Sequence, residues 1–115
     1  MTTVPEIKRQ ALELLGRLRL GQSYQTQDNT AMQESYDEVY ASLSELGVAT
    51  WTSTGSVPLE LTPPVVALVA WNRIDVYGVS DSRYQRIAAK AAVAVATLKQ
   101  FTTPAHESLE EPTDF

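Results

Sequence analysis

Thr26-Gln27-Asp28-Asn29-Thr30-Ala31-Met32-Gln33-Glu34-Ser35-Tyr36-Asp37-Glu38-Val39-Tyr40-Ala41-Ser42-Leu43-Ser44-Glu45-Leu46 is the stretch whose spacing decides the fold. Met32, Tyr36, Val39, Tyr40, Leu43 and Leu46 recur at steps of three and four, which places them on one stripe of an α-helix. Thr26 or Asp28 can cap its start, and Gly47 ends it. The other face holds Asp28, Glu34, Asp37, Glu38 and Glu45, with no Lys or Arg between Thr26 and Leu46. One side of this helix must be buried, and the other is acidic.

The same period recurs on either side. Upstream, Thr3 and Glu6 have capping-box spacing, Pro5 sits in the first turn, and Ile7, Ala11, Leu14 and Leu15 follow until Gly16, predicting a helix over 5–16. Leu18, Leu20 and Gly21 read as a short apolar connection to the 27–46 helix. Downstream, Thr62-Pro63-Pro64 opens a helix over 63–77 that is apolar on nearly every face up to Trp71, the pattern of a central, buried element. A helix over 81–101 follows, capped by Ser80 or Asp81, with Tyr84, Ile87, Ala88, Ala91, Val95, Leu98 and Phe101 as its inward stripe. Leu14, Tyr36, Leu43, Leu68, Val69, Trp71, Ile87 and Leu98 are the expected core.

Residues 48–61 break the helical pattern. Two β-prone runs flank Thr52-Ser53-Thr54-Gly55-Ser56, so a loop or a small hairpin is expected, with Trp51 read as an exposed interface residue. Residues 102–115 hold Pro104 and Pro112, four acids and no base, a composition expected to be disordered when alone. The predicted architecture is an all-α four-helix bundle over 1–101 with an insert at 48–61 and an extended acidic tail at 102–115.

Composition narrows the function. The chain of 115 residues is 43% hydrophobic, enough for one modest domain, and its net charge is −5, a poor match to general duplex DNA binding. It has no cysteine, which removes disulfides and thiolate chemistry, and its one histidine, His106, sits in the acidic tail. The adjacent acids Asp37 and Glu38 point in different directions on a helix, so they read as a docking face rather than an acid/base pair. No Gly-rich phosphate loop is present, and the longest apolar run, 65–71, is too short to span a membrane. These features predict no enzyme activity, no cofactor, no metal and no membrane partner, for a chain cytoplasmic when made. The rival reading is a small DNA-binding regulator whose 80–101 helix would present Ser82, Arg83, Gln85 and Arg86 to base edges.

The order of elements carries a resemblance. A helix ending in Leu14-Leu15-Gly16, a short turn with Gly21-Gln22, a capped helix ending in Leu43-Ser44-Glu45-Leu46-Gly47, a turn-rich insert, Leu61-Thr62-Pro63-Pro64 and a buried helix, then an Ala-rich helix and a polar tail resemble the head-to-tail adaptor proteins of tailed bacteriophages. These are also called head completion, tail accessory or packaged-DNA stabilisation proteins. The likeness covers residues 4 to about 101. It implies a ring of twelve subunits under the portal in the virion neck, retaining packaged DNA without sequence-specific contact and passing the connection to the next neck or tail protein. It also implies that the C-terminal segment docks on the portal, here through Leu109, Glu110, Glu111 and Phe115.

Charge predicts the ring contact independently. Residues 1–24 carry Lys8, Arg9, Arg17 and Arg19 against Glu6 and Glu13, and 81–101 carry Arg83, Arg86, Lys90 and Lys99 against Asp81, whereas 26–46 is acidic. Opposite charges on different faces of one subunit allow head-to-tail association, which closes into a ring where the rotation permits. Asp37 and Glu38 of one subunit are expected to meet Arg17, Arg83 or Arg86 of the next, with Trp51 at the same surface.

Overall fold

Thr62–Trp71 has ten residues, seven of them Val, Ala, Leu or Trp, so it can be stable only where neighbours cover it on several sides. In the computed structural model, which describes residues 1–17 and 25–102, this helix is the element the others pack around. The elements in order are α1 (Val4–Leu14), α2 (Thr26–Glu45), a 3-10 turn (Leu59–Leu61), α3 (Thr62–Trp71), α4 (Ile74–Tyr77) and α5 (Asp81–Thr102). The protein is all-α over the described residues. α3 packs most extensively on α5, then on α1 and α2; α1 also packs on α2, whereas α2 and α5 share no substantial contact.

The core follows the helical stripes. Ile7, Ala11, Leu12 and Leu15 come from α1 and its end; Met32, Tyr36, Val39 and Leu43 from α2; Val65, Val66, Val69 and Ala70 from α3; and Ile87, Ala94 and Leu98 from α5. Ala94, at the small-residue position of that last stripe, is almost wholly covered. Tyr36, Leu43, Val69, Ile87 and Leu98 are buried as expected, and Leu14 and Leu68 pack at the core margin. The expected capping is only partly seen. Thr3 and Gln25 occupy the N-cap positions of α1 and α2 without a side-chain bond, whereas the Ser80 hydroxyl accepts the Arg83 amide at the start of α5.

Two expectations are corrected, for the helix over 63–77 and for the inward placing of Trp71 and Tyr84. The helix over 63–77 is two helices. Asn72 donates its side-chain amide to Ser35 Oγ (3.2 Å) and Glu38 Oε1 (2.8 Å), and Arg73 turns out of helical geometry (φ −126°, ψ 17°) toward Glu38. These ties to α2 outweigh continuation of the helix. Ser35 itself donates to the Val69 carbonyl at 2.7 Å, so the polar seam between α2 and α3 is satisfied within the core.

Of the loop or small hairpin expected for the insert, the loop forms, with no strand among the described residues. Val57 pairs instead with Thr2, exchanging amide and carbonyl bonds at 2.8 and 2.7 Å in a single antiparallel bridge. Pro58 cannot donate to a ladder, and the N-terminus offers the nearer partner. Trp71, expected in the core, is 36% exposed, and Tyr84 is 45% exposed. Each lies off the stripe that its helix buries. The connection at Leu18, Leu20 and Gly21 lies outside the described residues.

Candidate interaction site

The two tryptophans exchange the places expected of them. Trp51 is 8% exposed. Its indole N–H donates to Tyr36 Oη at 3.0 Å, and its carbonyl accepts from Tyr40 Oη at 2.7 Å. Tyr36 stacks on Tyr40 with centroids 6.3 Å apart, and Tyr40 meets Trp51 edge-on at 6.2 Å. Burial, with the indole bond opposing it, raises the Tyr36 phenol above its ordinary value. The insert is thus held by its own α2, and Trp51 is buried in the core of its own chain rather than exposed.

Trp71, at the end of α3, meets Tyr84, in the first turns of α5, edge-to-face at 5.4 Å, and both rings are open to solvent. Two large aromatic rings left side by side on a surface are the residue types that dominate binding energy at protein interfaces. Sequence periodicity alone put both on inward stripes.

The acidic face of α2 divides into engaged and open carboxylates. Glu38 accepts from Arg73 (3.1 and 3.3 Å) and from Asn72, and Arg73 also reaches Glu34 at 3.6 Å. The Asn72 amide first, then Arg73, hold the Glu38 carboxyl below its ordinary value. Asp37 is exposed, accepts from Gln33 of its own helix at 3.0 Å and attracts the Lys8 ammonium, and Glu45 is exposed with no partner among the described residues. Asp28, expected on the open face, is buried.

The basic residues divide in the same way. Arg17 Nε lies 3.4 Å from Asp28 Oδ2, and its guanidinium covers the Tyr77 ring at 5.7 Å. Arg83 donates to the Leu14 carbonyl at 3.0 Å, satisfying an acceptor that the end of α1 leaves unpaired. Gly16 makes this possible. Its φ of +79° suits the left-handed turn after the helix, and a side chain there would meet the Arg83 guanidinium at 2.9 Å. Lys8 is buried between Asn29 (2.7 Å) and Gln33 (2.9 Å); burial lowers its ammonium against the opposing pull of Asp37. Of the expected intersubunit cations, Arg17 and Arg83 are therefore engaged within the chain. Arg86, with Lys90 and Lys99, is exposed with no partner among the described residues.

The Arg17–Asp28–Tyr77 cluster ties the end of α1, the start of α2 and α4 together. Tyr77 Oη donates to Asp28 Oδ1 at 3.1 Å. Burial first, then the Asp28 charge, push its phenol from 10.0 up to about 12. The folded chain therefore keeps this proton at a pH where the unfolded chain has lost it. This contribution to stability is complete below about pH 10 and lost as pH rises toward about 12. Tyr77→Phe should flatten the fall in stability over that window, read from urea melts at several pH values. An unchanged slope would remove Tyr77 as its cause.

Among the described residues no group of three or more His, Cys, Asp or Glu is placed to hold a metal, and no helix is long and apolar enough to cross a membrane. Leu109, Glu110, Glu111 and Phe115 lie outside the described residues, as does His106. Comparison with protein-family models, curated proteins and solved structures returns no match.

Proposed function

We propose that the chain is a structural adaptor of a tailed bacteriophage, a four-helix bundle with a short insert. It assembles as a ring of twelve on the portal, links it to the next neck or tail protein and helps retain packaged DNA in the virion. It acts by assembly, not by catalysis. The phage assignment and the subunit number rest on the resemblance in element order. The observation that carries assembly is the placing of charge: acidic α2 and basic α5 both pack on α3 and make no substantial contact with each other. One subunit thus offers an acidic surface and a basic surface to different neighbours, as a heterologous ring contact requires. The exposed Trp71–Tyr84 pair supplies an apolar centre that charge alone lacks. The DNA-regulator reading is weaker, because Arg83, one of its four expected reading residues, is spent on the Leu14 carbonyl.

The contact is tested through the open carboxylates. Asp37→Lys with Glu45→Lys leaves the Arg73–Glu38 tie intact, unlike reversal of Glu38. The double variant should assemble poorly, and added salt should weaken assembly of the natural chain. Normal ring yield from a folded double variant would sink the charge-paired contact.

A further inference from the structure

The face of α5 beside the start of α3 forms an apolar groove, lined by Pro63, Pro64, Ala67, Val93 and Ala94 and edged by Lys90. Val93 is 59% exposed, an unusual position for a valine on a helix that has a complete inward stripe of its own. Lys90 has no partner among the described residues, and neither has Arg86, four residues earlier and so beside it on the helix surface. The groove therefore offers apolar contact and one open positive charge at its edge, with a second, Arg86, one helical turn beyond it.

We propose that, in the free subunit, this groove is occupied by the chain's own C-terminal segment, 103–115. Three observations select it. The first is charge: Glu107, Glu110, Glu111 and Asp114 are opposed by no Lys or Arg in the segment, while the charge that edges the groove, Lys90, and the next one along the helix, Arg86, are both positive. The second is anchoring: Leu109 and Phe115 are its only large apolar side chains, and Leu109 adjoins Glu110 and Glu111 as the apolar groove adjoins Lys90. The third is reach. Val93 and Lys90 lie nine and twelve residues before Thr102 on α5, roughly 14 and 18 Å at the helical rise. The seven residues from 103 to 109 can span up to roughly 23 Å when extended, enough to return to that level after a reversal. Pro104 disfavours helical geometry at Thr103, which places such a reversal at the end of α5.

The far end of the groove limits the docked length. Past Pro63 and Lys90 the surface continues to Glu6, Arg9 and Glu13; Arg9 is paired with Glu6 at 3.7 Å, which leaves the Glu13 carboxylate to repel an acidic peptide there. Leu109 therefore seats among Pro63, Ala67 and Val93, with Glu110 and Glu111 at Lys90 and Arg86. The inference stands independently of the ring, since it concerns the free subunit.

The chain has no cysteine, so two introduced thiols report on one pair alone. In the full chain, Val93→Cys with Leu109→Cys should form an intrachain disulfide about tenfold faster than a control pair, Ser42→Cys on α2 with Leu109→Cys, because docking raises the effective concentration of one thiol near the other. Arg86→Glu with Lys90→Glu should bring the two rates together. Equal rates for both pairs in the otherwise unaltered chain would overturn the inference. Disulfides formed only between chains would overturn it too, giving the groove to another copy's tail.

Discussion

Trp51→Ala should lower stability by about 3–5 kcal/mol, the usual cost of truncating a large buried aromatic. Total stability for such a domain is about 5–15 kcal/mol, so the variant stands near the edge of folding. The ring is 8% exposed, packs edge-on against Tyr40 and donates its only polar hydrogen to Tyr36. Alanine would leave a cavity where the indole stood and deprive the buried Tyr36 hydroxyl of its donor. The insert would then lose its hold on α2, while the Thr2–Val57 bridge would still tie it to the N-terminus. Urea melts followed by circular dichroism measure the loss. A loss below about 1 kcal/mol would return Trp51 to the surface role that its sequence context suggests.

Trp71→Ala with Tyr84→Ala should do the opposite. Both rings are exposed, so the melt should move by about 1 kcal/mol or less, the usual range for surface positions. Assembly should fall much further. Truncating one aromatic anchor at an interface commonly costs about 2 kcal/mol or more, roughly thirtyfold in dissociation constant. Sedimentation of the natural and double-variant chains under assembling conditions separates the outcomes. A variant that assembles as well as the natural chain would show that the pair covers no partner.

α1, α2 and α5 were legible because each buries residues that recur at helical spacing. Met32, Tyr36, Val39 and Leu43 on α2 need nothing beyond their own sequence to be placed. What escaped the sequence were decisions made between elements. Asn72 and Arg73 end α3 because Ser35 and Glu38 sit opposite them, and spacing along one helix carries no sign of that. Thr2 lies 55 residues from its partner Val57, so the insert's edge could not be assigned from local pattern. α3 is apolar all round, so periodicity could not tell which of Leu68, Val69 and Trp71 would face out.

The candidate surface was legible in its charges and misread in its contacts. An acidic α2 and a basic α5 are plain in composition. Which carboxylates and guanidiniums stay open depends on neighbours distant in sequence: Arg73 engages Glu38, Asp28 engages Arg17, and the end of α1 engages Arg83. The open set that remains, Asp37 and Glu45 with Arg86, Lys90 and Lys99, is smaller and more specific than composition suggests.

A ring adaptor seated on a portal should be visible by electron microscopy of the purified chain mixed with its cognate portal. One end of the portal should gain a ring of density, with twelve-fold symmetry and a mass increase of twelve subunits. Portals that keep their original outline and mass, beside a chain that stays monomeric in excess, would contradict the adaptor assignment.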